Sequence, residues 1–146
     1  MTHRHRYRFA DTAQQFVGGV LLAIPFVVTE EVWVLAASMG PAHTGGVFTL
    51  VVLIGYGTLY KADASRNPED EVDVGGVPIR FISLLTVALG ATVVLATLIT
   101  APQTFLIDGE VLDKPTRLQY AYTVLNAVGI ASVSSIVGAA TADSLF

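Results

Sequence analysis

The stretch that decides the fold is VPIRFISLLTVALGATVVLATLIT at residues 77–100, where Arg80 is the only charged side chain. A helix needs about 20 mostly apolar residues to cross a bilayer, and this run meets that requirement. Three other apolar runs lie around it. Together they predict an all-α polytopic membrane protein, one domain over 1–146, with transmembrane helices at about 13–38, 44–60, 77–100 and 118–142.

Composition supports a membrane protein and excludes several chemistries. The chain is 53% hydrophobic and 14% charged, whereas soluble domains usually carry about 25% charge. It contains no cysteine, which rules out disulfides and thiolate metal sites. It has no phosphate-binding glycine loop, no H-E-x-x-H and no nucleophile elbow. We therefore expect no enzyme activity, no cofactor and no metal centre.

The connection between the third and fourth predicted helices has a pattern typical of a turn. Residues 104–113 read TFLIDGEVLD, which places Asp108-Gly109 between two short β-prone runs. Asp-Gly in that position is a signature of a type I′ hairpin. The sequence therefore predicts a short extramembrane β-hairpin there.

The basic residues predict the orientation. Cytoplasmic connections carry the excess of Lys and Arg, so both termini are expected to be cytoplasmic. Acid-rich connections at 68–73 and 108–113 suit the cell membrane of a high-salt organism, although ordinary solvated loops explain them equally well. A short basic N-terminus alone gives no support for nucleic-acid binding, so the expected partner is the lipid bilayer. Six basic residues fall on the cytoplasmic side (Arg4, Arg6, Arg8, Lys61, Arg66, Arg80) and two on the other (Lys114, Arg117).

Two adjacent carboxylates, Glu30 and Glu31, interrupt the first predicted span. In one continuous helix they would lie roughly 6–8 Å from the membrane centre at 1.5 Å per residue. Charged groups at such depth cost roughly 2.5–3.5 kcal/mol and usually mark ion or proton pathways. The functional interpretation is a proton relay or cation site. The alternative is that the helix ends near Val28 and both glutamates lie in a hydrated interface.

Three further residues are candidates for supporting this site. Pro25 cannot donate to the preceding turn, so it is the expected helix break, and freed carbonyls near it could bind an ion. The alternative is a tolerated kink whose carbonyl is satisfied by Thr29 or water. Asn126, in the fourth predicted helix, either packs among small residues or hydrogen-bonds Glu30 or Glu31.

The first span also carries a resemblance. The segment GGVLLAIPFVVTEEVW at 18–33 resembles uncharacterised integral membrane proteins of haloarchaea and bacteria that share a P-x-x-x-T-x-E-x-W pattern. Pro25, Thr29, Glu31 and Trp33 match it. The resemblance implies a membrane protein with no established activity, and it implies that Glu31 rather than Glu30 belongs to the motif. Trp33 is expected in an aromatic belt at the membrane interface.

Two functions remain open from the sequence. The first is a small channel or carrier for protons or cations, with Glu31 exchanging the ion, Glu30 as its partner, and Thr29 and Asn126 as polar support. The second is a non-transporting assembly or accessory subunit whose carboxylates contact another helix or a membrane protein partner. Four thin spans rich in small residues suggest a homo-oligomer in either case.

Overall fold

Five α-helices account for most of the molecule. The computed structural model describes residues 9–61, 73–74 and 76–145. Within these residues, four helices are long and apolar enough to cross a membrane, which confirms the all-α polytopic fold. The helices are α1 (Phe9–Val27), α2 (Glu30–Ser38), α3 (Pro41–Tyr56), α4 (Ile79–Leu98) and α5 (Arg117–Leu145), and α3 continues as a π-helical turn, Gly57–Lys61.

Helix α5 is the centre of the bundle. It contacts α1, α2, α3 and α4. Its spanning window is 67% buried, whereas the windows of the other three spanning helices are 17–33% buried. Small side chains explain this position, because Ala127, Ala131 and Ala139 let neighbouring helices approach closely. The other helices therefore pack around α5 and expose their outer faces.

The closest approach in the bundle joins α1 to α5 at two glycines. A Cβ added to Gly18 would lie 2.2 Å from the carbonyl oxygen of Gly138 and 2.7 Å from the Cβ of Ala142. A Cβ added to Gly138 would lie 2.2 Å from the carbonyl oxygen of Gly18. The contacts with the two carbonyl oxygens involve the backbone, so no side-chain movement can relieve them. Glycine at both positions is what lets the two helices touch.

The predicted hairpin at 104–113 is wrong. A type I′ turn needs positive φ at both central residues, but Gly109 has φ −81°. The segment instead forms a π-helical turn, Gln103–Asp108, in which the N–H of Gly109 donates to the carbonyl of Thr104 at 2.8 Å. Leu106 is fully buried in the bundle. Tertiary burial of that apolar side chain overrides the local turn preference.

A short antiparallel strand pair lies elsewhere in the chain. Strand β1 (Asp73–Val74) pairs with β2 (Val77–Pro78), with Asp73 opposite Pro78 and Val74 opposite Val77. Gly76, at the turn between them, has φ +88°, a backbone conformation that favours glycine. The pair directly precedes α4, so it lies in the connection between the second and third spanning helices.

Candidate functional site

The first predicted span is divided into two helices. Helix α1 ends at Val27 and α2 begins at Glu30. The 19 residues of α1 are about 28 Å long, close to the roughly 30 Å of hydrocarbon in a bilayer. Helix α1 therefore has the length to span the membrane alone. The assumption of one continuous helix is wrong, because the glutamates begin a second helix, and their depth in the membrane stays a prediction.

The break between α1 and α2 leaves no free carbonyl at the end of α1. The last four C=O groups of a helix have no partner within it, yet all four are hydrogen-bonded here. Two accept backbone N–H groups, one accepts a hydroxyl and one accepts an indole N–H. The pairs are Val28 N to Ile24 O at 3.2 Å and Thr29 N to Phe26 O at 3.3 Å, Thr29 Oγ1 to Pro25 O, and Trp33 Nε1 to Val27 O at 2.9 Å.

This arrangement gives the residues of the first-span motif a structural role. Pro25 lies two residues before the end of α1, and Thr29 and Trp33 satisfy the carbonyls beyond it. The last four carbonyls of α1 are therefore all occupied, and the carbonyl that Pro25 leaves without a donor is that of Leu21, one turn earlier. The alternative, a distortion satisfied by Thr29, matches the geometry.

Trp33 lies inside the protein and not in an aromatic belt. It is 1% exposed, and its ring stacks on Phe105 with centroids 6.1 Å apart. Leu106 belongs to the same apolar cluster. The π-helical turn after α4 thus covers the break between α1 and α2, which explains why the expected interface position of Trp33 is wrong.

Glu30 and Glu31 occupy the exposed first turn of α2. Negative charge is favourable there because it faces the positive end of the helix dipole. Among the described residues, neither carboxylate makes an ion pair or a side-chain hydrogen bond. Glu30 lines an open groove of about 390 Å³ that Glu110 and Ser38 also line. The two adjacent glutamates are therefore surface groups of the bundle.

Asn126 supports the junction of three helices and not the glutamates. Its Nδ2 donates to the carbonyl of Ala36 at 3.1 Å, and its Oδ1 accepts from the hydroxyl of Thr44 at 2.6 Å. The hydroxyl of Tyr122 is 2.7 Å from the same Thr44 oxygen. These bonds tie α5 to α2 and α3. The alternative role expected for Asn126, a hydrogen bond to Glu30 or Glu31, is not what the structure contains.

A charged cluster at the opposite end of the bundle was missed by the sequence analysis. Arg80, at the start of α4, places Nη1 2.6 Å from Oδ1 of Asp143 on α5 and Nη2 3.3 Å from Oδ2 of Asp11 on α1. The side chains of Arg80 and Asp143 are 8% and 0% exposed. This is a buried ion-pair network that joins three spanning helices.

Two neutral side chains extend the charged cluster. The buried amide of Gln15 donates from Nε2 to Asp143 Oδ2 at 3.4 Å, and its Oε1 accepts from the hydroxyl of Ser83 at 2.8 Å. The sequence signal was present, since a polar residue lies at the end of each of three predicted spans. In the sequence, Arg80 looks like one of the basic residues that orient the chain, and Asp143 lies one residue beyond the predicted fourth span.

Among the described residues, three buried hydroxyl side chains lie near the middle of the bundle. Thr92 and Ser135 both donate to the carbonyl of Ala88, at 2.8 and 3.1 Å. Ser132 donates to the Thr92 hydroxyl at 3.5 Å. All three hydroxyl side chains are fully buried. The groups that could line a path along α5 are thus occupied by hydrogen bonds to one another or to a helix carbonyl.

The arrangement offers no evident metal centre. Within the described residues, no group of three or more His, Asp or Glu side chains lies close enough to hold an ion. The fold and these contacts define a small helical integral membrane protein in which buried polar side chains pair across helices at both ends of the bundle.

A family model places the chain more narrowly. The model described as "Putative integral membrane protein (DUF2391)" matches residues 2–143, so the chain belongs to that family. This confirms the resemblance to a family of uncharacterised integral membrane proteins. No curated protein and no solved structure matches the chain.

Proposed function

We propose that this chain is a non-transporting subunit of a membrane assembly, the second of the two functions left open by the sequence. The observation that carries the proposal is the pairing of buried polar side chains at both ends of the bundle. Arg80 is bound by Asp11 and Asp143 at one end, and Asn126 is bound by Thr44 and Ala36 at the other. A conducting path needs groups that can release one partner for an ion.

The exposed face of α2 supports an assembly role. Glu30 and Glu31 are both exposed, and Glu30 shares a groove with Glu110, which comes from a different segment. Carboxylates concentrated at one end of a bundle attract a partner with basic side chains at the same membrane level. We propose that this acidic surface contacts another membrane protein. With both termini cytoplasmic, as the basic residues predict, the surface lies on the outer side of the membrane.

Transport remains the second candidate because of one observation. Glu30 and Glu110 line the same groove from two segments, as carboxylates at the mouth of a cation pathway do. The pathway itself would have to run between subunits, since the interior of one bundle is filled by paired polar groups and small apolar side chains.

Flux measurements separate the two functions. Purified protein in liposomes, wild type beside Glu31→Gln and Glu30→Gln, is assayed for proton, Na⁺ and K⁺ flux across a pH series. We expect no flux above empty liposomes from well-inserted wild type. Flux that disappears in Glu31→Gln would overturn the proposal in favour of a channel or carrier.

Partner capture is the complementary test. The wild type and the Glu30→Gln/Glu31→Gln double variant are purified in mild detergent from cells of a native host. We expect a membrane protein to copurify with wild type and to be reduced in the double variant. The matched control is Asp113→Asn, an exposed carboxylate that does not line the groove. Equal recovery with all three proteins would contradict a role of α2 in the contact.

A further inference from the structure

A groove of about 630 Å³ runs along the outside of the bundle between α1 and α5. Its floor is the contact between Gly18 and Gly138, where the missing side chains bring the two backbones together. Its apolar wall includes Val17 and Leu21 of α1, which are 57% and 60% exposed. We call it the α1–α5 groove. In a membrane it is open to lipid or to another helix.

Two side chains in the α1–α5 groove carry a polar atom that has no hydrogen bond to a described residue. The side-chain oxygen of Gln14 is buried without a partner. The hydroxyl of Thr141, on the exposed face of α5, makes none among the described residues. Both lie on spanning helices and line the groove. Because lipid tails offer no hydrogen bonds, unpaired polar groups at this position are unfavourable.

The exposed face of α1 has the spacing of a helix–helix interface. Gln14, Val17, Leu21, Ile24 and Val28 follow one another at intervals of three and four residues. This is the a/d pattern of a left-handed helix pair. A polar side chain at one a position, as Gln14 would be, fixes the register and number of helices in such pairs. The four apolar members are all exposed.

We infer that the occupant of the α1–α5 groove is α1 of a second copy of this chain. Two copies related by a two-fold axis along the membrane normal place Gln14 against Gln14 and Thr141 of the second copy. An amide and a hydroxyl both donate and accept, so the contact is self-complementary, and it satisfies all four side chains once each Gln14 amide turns from its buried position towards the second copy. A lipid tail fills the apolar wall but leaves these groups unpaired.

This dimer is a form of the assembly role proposed above, but it is carried by α1 and α5. The acidic surface of α2 takes no part in it. Either proposal can therefore fail alone. In particular, Glu30→Gln/Glu31→Gln should leave self-association unchanged.

Disulfide cross-linking in liposomes tests the dimer. The chain contains no cysteine, so single substitutions give a clean background, and a disulfide forms only where the two Cα atoms lie within about 7 Å. We expect Gln14→Cys, Val17→Cys and Leu21→Cys to form covalent dimers on oxidation at high lipid-to-protein ratio. Phe16→Cys, on the same helix and 40% exposed but off the stripe, and Leu53→Cys, 64% exposed on α3, are the matched controls.

A second variant tests the role of Gln14 itself. Gln14→Leu keeps an apolar surface and should lower the dimer association constant about tenfold, because it removes interhelical hydrogen bonds. Leu53→Ala should leave the constant unchanged. Cross-linking at Val17 and Leu21 no stronger than at Phe16 would overturn the proposal. Native mass spectrometry showing monomers with bound lipid would likewise assign the groove to lipid.

Discussion

Charged side chains are buried at one end of the bundle and exposed at the other. At one end Arg80 and Asp143 are buried and paired between α4 and α5. At the other end Glu30 and Glu31 are exposed, and the buried groups are the neutral side chains of Asn126 and Trp33. The two acids that interrupt an apolar run, Glu30 and Glu31, are thus exposed, whereas Asp143, which follows the last predicted span, is buried.

The packing of other helices around a helix end, more than the hydropathy of the surrounding sequence, therefore decides whether a charged side chain there is buried. Glu30 and Glu31 sit within an apolar run but follow the break at Thr29, so they reach the surface. Asp143 lies near the end of α5, where α1 and α4 both begin, so three helices surround it. A buried ion pair adds little net stability but strongly disfavours the loss of one partner.

The largest expected effect comes from breaking the buried pair. Arg80→Met should destabilise the protein by about 3–5 kcal/mol, because it leaves Asp143 buried without its cation. Thermal unfolding in detergent measures the loss. Arg80→Met/Asp143→Leu removes both charges and should recover much of it. A single variant within about 1 kcal/mol of wild type would show that the cluster is hydrated.

The next largest effect is expected at the contact between α1 and α5, which lies between the two ends of the bundle. Gly18→Ala puts a Cβ 2.2 Å from the carbonyl oxygen of Gly138, so it should destabilise by about 3 kcal/mol, the upper end of ordinary overpacking. The control is Gly90→Ala on α4, where an added Cβ meets nothing within 4 Å. Unfolding of both variants is compared in the same detergent, and equal stabilities would contradict the close approach.

A smaller effect is expected at the break between α1 and α2. Trp33→Phe keeps a ring beside Phe105 but removes the hydrogen bond to Val27. Leaving that carbonyl without its donor should cost about 1–2 kcal/mol. Val34→Ala, at an exposed position on the same helix, should change little. Proteolysis at the break, followed by gel and mass spectrometry, should be faster only in Trp33→Phe.

The smallest effect is expected for the acids that the sequence made conspicuous. Glu30→Gln/Glu31→Gln should change stability by about 0.5 kcal/mol, because it removes only an exposed interaction with the α2 dipole. The change should shrink further in high salt. Thermal unfolding at two salt concentrations checks this. A loss as large as that of Arg80→Met would mean that the two ends do not differ as described.

The sequence was sufficient for the membrane architecture because hydropathy and length constrain it strongly. Residues 77–100 predict a spanning helix, and α4 occupies Ile79–Leu98. It was insufficient at the break after Val27, since the run around Glu30 is apolar enough to continue a helix. What ends α1 is a set of hydrogen bonds from Thr29 and Trp33, and these depend on tertiary placement.

The sequence predicted a hairpin that is absent from 104–113 and did not predict the charged cluster, and the two errors have related causes. Asp108-Gly109 has the local chemistry of a turn, but burial of Leu106 selects a π-helical turn instead. Arg80 and Asp143 are 63 residues apart, so no local pattern links them. Only the packing of α4 against α5 brings their side chains together.

The charged cluster also constrains the order in which the helices can assemble while the chain is being synthesised. Gln15 and Asp143 are 128 residues apart, and chains are made at about 5–20 residues per second, so roughly 6–25 s separate their synthesis. For that interval α1 resides in the membrane without its main contact, α5. Arg80 is made between them, so its ion pair with Asp143 can form only after α5 follows. The bundle therefore reaches its final register only when α5 arrives.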